Sequence, residues 1–247
     1  MNSIRISLAL LLFCSGTLFA QAVTFNYLDP NSVNLPSILS GPPAQGSRGN
    51  LDDIRTVLAA QRARTPEQIA RVRSEEELTP FAFADLLGSW FTPRNLPLTF
   101  ALLKNAGQDA HNITIAGMKY WQRPRPPLQD PSIIPVIPLP QSASYPSYHA
   151  TCGVLWAVIL TQFAPDLRAS FLDRGVQIGE HRVIAGVHFP TDVAAGQKLG
   201  RVIAARLLAN PAFQHDLAAA QAEFSSVRPK SAEAFSKNSL IFTAVDF

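Results

Sequence analysis

The chain has 247 residues, with 21 Lys and Arg against 18 Asp and Glu, a formal charge of +3. Hydrophobic residues make up 47% and charged residues 16%, which suits a buried core and excludes a disordered tail. So weak a positive field excludes a nucleic-acid polymer as partner, since Arg55, Arg62, Arg64, Arg71 and Arg73 are answered by Glu67 and the run Glu75-Glu76-Glu77.

Residues 1–22 have the character of a secretion signal. Arg5 precedes the apolar run Leu8 to Phe13, and Ala20-Gln21-Ala22 supplies small residues for cleavage. The mature protein is then expected in the periplasm or outside the cell. No later run approaches the roughly 20 apolar residues of a membrane span. Cys14 falls within the signal, so Cys152 is left without a partner for an internal disulfide.

Residues 23–50, with Pro30, Pro36, Pro42 and Pro43, are expected to form an extended arm, and 51–228 a helical domain with a tail over 229–247. Thr65-Pro66-Glu67-Gln68 is a capping box with Pro at the first helical position, and Asn210-Pro211 opens another helix in the same way. A third helix runs from about Leu98 to Gln122, where Pro124 disfavours further helix at Arg123. The proline-rich stretch 123–146 reads as a long ordered loop. Cys152, Leu155, Trp156, Ile159 and Phe163 follow the helical period, as do Val193, Gly196, Gly200, Ile203 and Leu207. With no alternating strand pattern and no repeat, the expected fold is all-α, a single compact helical bundle.

Three polar segments lie at ends of these helices: Arg123-Pro124-Arg125-Pro126, Tyr145-Pro146-Ser147-Tyr148-His149, and His181-Arg182 through His188-Phe189-Pro190-Thr191-Asp192. Together they hold what phosphoryl transfer requires: fixed positive charge, hydroxyl and amide donors, a nucleophile and an acid. Arg125 and Arg182 can each grip phosphate oxygens bidentately. Ser147 begins a helix, so its hydroxyl and nearby backbone N–H groups, that of Tyr148 among them, face an anion at the positive helix end. Asp192 follows His188 by four residues across a Pro-started helix and can orient its ring, which leaves His149 to protonate the departing alkoxide. One histidine must be neutral and one protonated, so an acidic optimum is expected, with neither a metal nor another cofactor required.

The three segments resemble the tripartite motif of the type 2 phosphatidic acid phosphatase superfamily, and the chain from about Leu35 to Arg228 is similar to its soluble branch, the bacterial class A non-specific acid phosphatases. The resemblance rests on Tyr145-Pro146-Ser147, Arg182-Val183-Ile184-Ala185-Gly186-Val187-His188 and Asn210-Pro211-Ala212-Phe213-Gln214. It implies a phosphohistidine on His188, orientation by Asp192, protonation by His149, phosphate binding by Arg125, Arg182 and Ser147, and a small phosphorylated substrate.

Three positions depart from that pattern. Where the family has Lys, seven residues before the Arg of the first segment, this chain has Met118, with Lys119 one step, about 100°, off register. Lys119 joins the phosphate site only if the last helical turn loosens. Tyr148 replaces a Gly, and its ring is expected to line or crowd the pocket mouth. His181 replaces the usual Ser. Competing readings are a non-catalytic phosphate-binding relative, a vanadate-dependent haloperoxidase, whose family shares the motif, and a zinc site from His181, His188 and Asp192.

Overall fold

Proline stands at the first or second position of six of the ten α-helices among the described residues, because its fixed φ and missing N–H suit the first helical turn. The computed structural model describes residues 26–229. In chain order the α-helices are α1 (Leu35–Ile38), α2 (Arg48–Ala63), α3 (Pro66–Ser74), α4 (Ala84–Leu87), α5 (Pro97–Trp121), α6 (Pro126–Gln129), α7 (Tyr148–Leu160), α8 (Arg168–Ile184), α9 (Pro190–Leu208) and α10 (Pro211–Val227). No strand occurs among the described residues, so the fold is the all-α bundle expected. The signal assigned to 1–22 and the tail from 230 onward lie outside the described residues.

The capping box predicted at α3 is formed on both sides: Thr65 accepts from the N–H of Gln68, and the Gln68 side chain accepts from the N–H of Thr65. Asn210 likewise caps α10 through the N–H of Phe213 at 3.0 Å. The arm expected over 23–50 departs from the extended form. It carries a 3-10 turn at Pro30–Ser32 and α1, buries Val33, Leu35 and Leu39, and passes into α2 at Arg48. Pro30 and Pro36 there start helical turns, while Pro42 and Pro43 lie outside any helix. Within the loop over 123–146, Pro126 starts the single turn α6 for the same reason.

Helix α7 is the centre of the bundle. It buries residues on every side, from Thr151 and Cys152 to Ile159 and Leu160, and packs against α5, α8 and α9. Trp156 reaches across to α5, where its indole N–H donates to the carbonyl of Leu103 at 2.8 Å. Close approach of α9 depends on Gly196, where an added Cβ would collide with the carbonyl oxygen of Ser147. Helix α10 closes the far side, and its Glu223 carboxylate accepts from the N–H groups of Leu98 and Thr99 at the start of α5. These contacts bring the C-terminal ends of α5 and α8 together with the N-terminal ends of α7 and α9.

Candidate active site

Helix α8 ends where Gly186 takes φ +76°, a conformation that side chains disfavour. The reversal folds Val187 and His188 back, so that the N–H groups of both donate to the carbonyl of Arg182, at 3.2 and 3.3 Å. Pro190 then starts α9, and Asp192, in its first turn, reaches back to accept the N–H of Phe189 at 2.8 Å. The same Oδ2 accepts the hydroxyl of Ser144 at 2.5 Å and stands 3.5 Å from Nδ1 of His188. Asp192 is wholly buried, and its other oxygen accepts Nη1 of Arg123 at 2.6 Å.

Arg123 carries this support outward. Its Nη2 donates to Asp53 on α2 at 2.7 Å, its Nη1 also reaches Thr191, and its guanidinium lies 4.0 Å over the Phe189 ring. Asp53 in turn accepts the backbone N–H of Thr191 at 3.2 Å. A chain of paired charges therefore runs from α2 to the carboxylate that faces His188. Sequence alone placed Arg123 in a polar segment without a role and did not single out Asp53 or Ser144.

The two predicted arginines differ in how they are held. Arg125 donates Nε to the carbonyl of Ser142, Nη1 to that of Val187, and Nη2 to Ser142 Oγ and the carbonyl of Ala143. Its Nη1 also lies 3.1 Å from Nε2 of His188. The loop over 142–143 and the end of α8 thus occupy the donors that the sequence suggested would grip phosphate. Arg182 is the reverse case. It is 2% exposed, yet its Nε and Nη1 find no hydrogen-bond partner among the described residues. Buried donors left without acceptors are costly and mark a place where a ligand is expected. Burial, then the charge of Arg125, pushes Arg182 down to about 10; burial does the same to Arg125.

His188 is buried, and its ring is lowered to about 4, first by burial and then against the opposing pull of Asp192. His149, in the first turn of α7, is lowered to about 3 by burial and by the charges of Arg182 and His188. Arg182 and His188 are near enough for their charges to act on His149, and Arg125 touches His188 through Nη1. The Nε2 of His149 lies 3.0 Å from the carbonyl oxygen of Glu75 and 3.3 Å from that of Glu76. Ser147 is fully buried as the N-cap of α7, and its N–H donates to the carbonyl of Asp192 at 3.0 Å, joining the starts of α7 and α9.

The positions that depart from the expected pattern also resolve. Helix α5 stays regular to Trp121, with Gln122 in the left-handed region closing it onto the carbonyl of Met118 at 3.0 Å. The last turn does not loosen: Lys119 is exposed, beside a hollow lined by Met118, Gln122, Ser142 and Ala143. The Tyr148 ring packs edge-on against His111, with centroids 4.9 Å apart, and borders an apolar groove of about 620 Å³ shared with Phe81, Phe100, Lys104 and Trp156. His181 is bound through Nδ1 to Glu75 at 2.7 Å rather than to a site shared with His188 and Asp192. Among the described residues no cluster of three or more His, Cys, Asp or Glu could hold a metal ion, and no helix is long and apolar enough to cross a membrane.

Known proteins resemble this chain in sequence and in fold. Over 153 residues the chain is 33% identical to a non-specific acid phosphatase of Salmonella typhimurium, an alignment covering 58% of this chain and 59% of that one, so the chain spans less than two thirds of that relative's length. A non-specific acid phosphatase of Providencia stuartii is 26% identical over 244 residues, covering 89% of this chain and 98% of the relative. In fold, the chain is similar to a bacterial vanadium-dependent iodoperoxidase, with a TM-score of 0.54 at 16% identity, over 69% of this chain and 51% of the other. Residues 107–215 match the profile of the PAP2 superfamily. Arg125, Ser147, His149, Arg182, His188 and Asp192 all lie in that matched stretch.

Proposed function

We propose that the chain is an exported acid phosphatase that hydrolyses small phosphate monoesters through a phosphohistidine on His188, without a metal. The observation that carries this is Arg182: a buried guanidinium with two donors that find no partner, close to the two histidines whose rings its charge lowers. The similarity to enzymes named acid phosphatases supports the same chemistry.

In the first step the lone pair on Nε2 of His188 forms a bond to phosphorus as the P–O bond to the leaving group breaks. Asp192, facing Nδ1, keeps the ring proton there and stabilises the imidazolium that results. Nη1 of Arg125 lies against Nε2, so the incoming phosphate competes with the imidazole for that guanidinium. A carbonyl oxygen only accepts, so Nε2 of His149 carries the hydrogen facing Glu75, and Nδ1 is left to hold the transferable proton. The departing alkoxide takes that proton. In the second step the neutral His149 removes a proton from water, the oxygen attacks phosphorus, the P–N bond breaks, and phosphate leaves.

Both histidines are neutral in the empty site at pH 5–7, so the acid's proton must arrive with substrate. A phosphate monoanion supplies it, or the dianion does so indirectly by offsetting the arginine charges that depress His149. Either route favours an acidic optimum. The test is hydrolysis of a chromogenic phosphate ester with and without chelator, beside His188→Ala, with denaturing quench to trap an acid-labile, alkali-stable phosphoryl-enzyme. Turnover by the variant at the wild-type rate would refute the proposal.

A further inference from the structure

Glu75 stands just beyond α3, far in sequence from every motif, yet it is only 4% exposed. Its carboxylate is an ionic hub. It accepts from Arg71 at 2.8 Å within its own segment, and from Arg174 and His181 on α8, the latter at 2.7 Å. The neighbouring cations hold it down to about 2 in spite of burial, so it stays ionised through any working pH. The carbonyl oxygen of the same residue meets Nε2 of His149 at 3.0 Å. The carbonyl of Glu76 adds a second approach at 3.3 Å.

We propose that Glu75 is a positioning residue for the proton donor: its carboxylate anchors the turn after α3 to α8, and its carbonyl fixes the ring of His149. This rests on the assignment of His149 as general acid. His181, which departs from the pattern of related sequences, acts here as one of the three clamps on Glu75. It lies one residue before Arg182, so the clamp also sets the proton donor relative to the guanidinium with free donors. Without the clamp the turn over 75–76 loses its tie to α8, and the imidazole gains freedom to rotate away from the leaving oxygen. A loss of about 0.5–1 Å in placement is enough to weaken proton transfer.

A proton donor matters only when the leaving group needs a proton. The test therefore compares kcat/KM for 4-nitrophenyl phosphate, whose phenolate departs unaided, with that for glycerol phosphate, whose alkoxide does not. The ratio of the two is independent of how much of a preparation is folded. In His149→Ala the alkyl ester should lose about 10²-fold more than the aryl ester, on the scale of general acid catalysis. In Glu75→Gln the ratio should move the same way by about tenfold, and in His181→Leu, which removes one clamp of three, by a smaller factor. A ratio unchanged in both Glu75→Gln and His181→Leu, with His149→Ala shifted, overturns the positioning role. A ratio unchanged in His149→Ala instead overturns the general-acid assignment.

Discussion

Replacing Arg182 with Met should weaken phosphate binding and stabilise the empty protein at once. Arg182 is 2% exposed, and two of its N–H groups lack acceptors. Each buried, unsatisfied donor costs about 1–3 kcal/mol, and burial lowers the guanidinium to about 10, so its charge is strained in the absence of an anion. Met fills similar volume without donors. Its loss of attraction to Glu75 and Glu76 offsets part of the gain, leaving a net stabilisation of about 1–3 kcal/mol. For a domain of this size that raises Tm by about 2–4 °C per kcal/mol. Two charged hydrogen bonds to phosphate are worth about 3–6 kcal/mol together, so the inhibition constant for inorganic phosphate should rise by about 10²–10⁴. Thermal unfolding with and without phosphate, and phosphate inhibition of ester hydrolysis, give both numbers. Added phosphate should raise Tm in the wild type and leave it unmoved in the variant. A variant that melts lower than the wild type in phosphate-free buffer, with an inhibition constant within threefold, would refute the assignment of Arg182 as the unfilled anion donor.

Other expectations follow from the same centre. His188 and His149 sit at about 4 and about 3 in the folded protein against about 6.5 unfolded, so the unfolded chain binds more protons between those values. Stability is complete above pH 6.5 and is lost as pH falls from there toward 4 and then 3, each ring adding a slope approaching 1.4 kcal/mol per pH unit; urea unfolding of His188→Asn between pH 4.5 and 7 should show a shallower slope than the wild type. Phosphate binding at pH 5.5 separates the two routes for the acid's proton: calorimetry in two buffers of different ionisation enthalpy should read proton uptake where the anion raises His149, and equal heats where the monoanion brings its own proton. Gly196→Ala should cost about 1–3 kcal/mol and lower kcat, since the new methyl meets the Ser147 carbonyl and separates α9 from α7. Asp53→Ala should cost about 3 kcal/mol and reduce kcat with little change in KM, because Arg123 loses a buried partner and its grip on Asp192 loosens.

What the sequence disclosed were the features formed within one helical turn. The box at Thr65, the cap at Asn210, the end of α5 before Pro124, and the placement of Asp192 one turn after His188 all depend on neighbours three or four residues apart. Ser147 as an N-cap belongs with them. The arm over 23–50 was misjudged because proline marks a break and a helix start alike, and only burial of Leu35 against the core decides between them. Arg125 shows the limit more sharply. Its type and spacing suggest a free phosphate grip, but the loop over 142–143 turns its carbonyls onto the guanidinium, and the fold of a loop is not written in any periodicity.

Two of the residues that escaped notice, Asp53 and Glu75, reach the site through other residues. Asp53 reaches Asp192 by way of Arg123, across 70 and then 69 positions, and Glu75 meets its clamp on α8 at separations of 99 and 106. Such pairings are set by how α2 and α3 lie on α8 and α9, and packing of helix on helix leaves no motif at either end. Each of the two acids pairs with a buried cation, Asp53 with Arg123 and Glu75 with Arg174. Arg123 and Arg174 each keep one buried donor without a partner, whereas Arg182 keeps two, so the unmet demand for an anion is greatest at that guanidinium. Removing either acid would spread that demand to a second arginine and blur the site's preference for where phosphate binds.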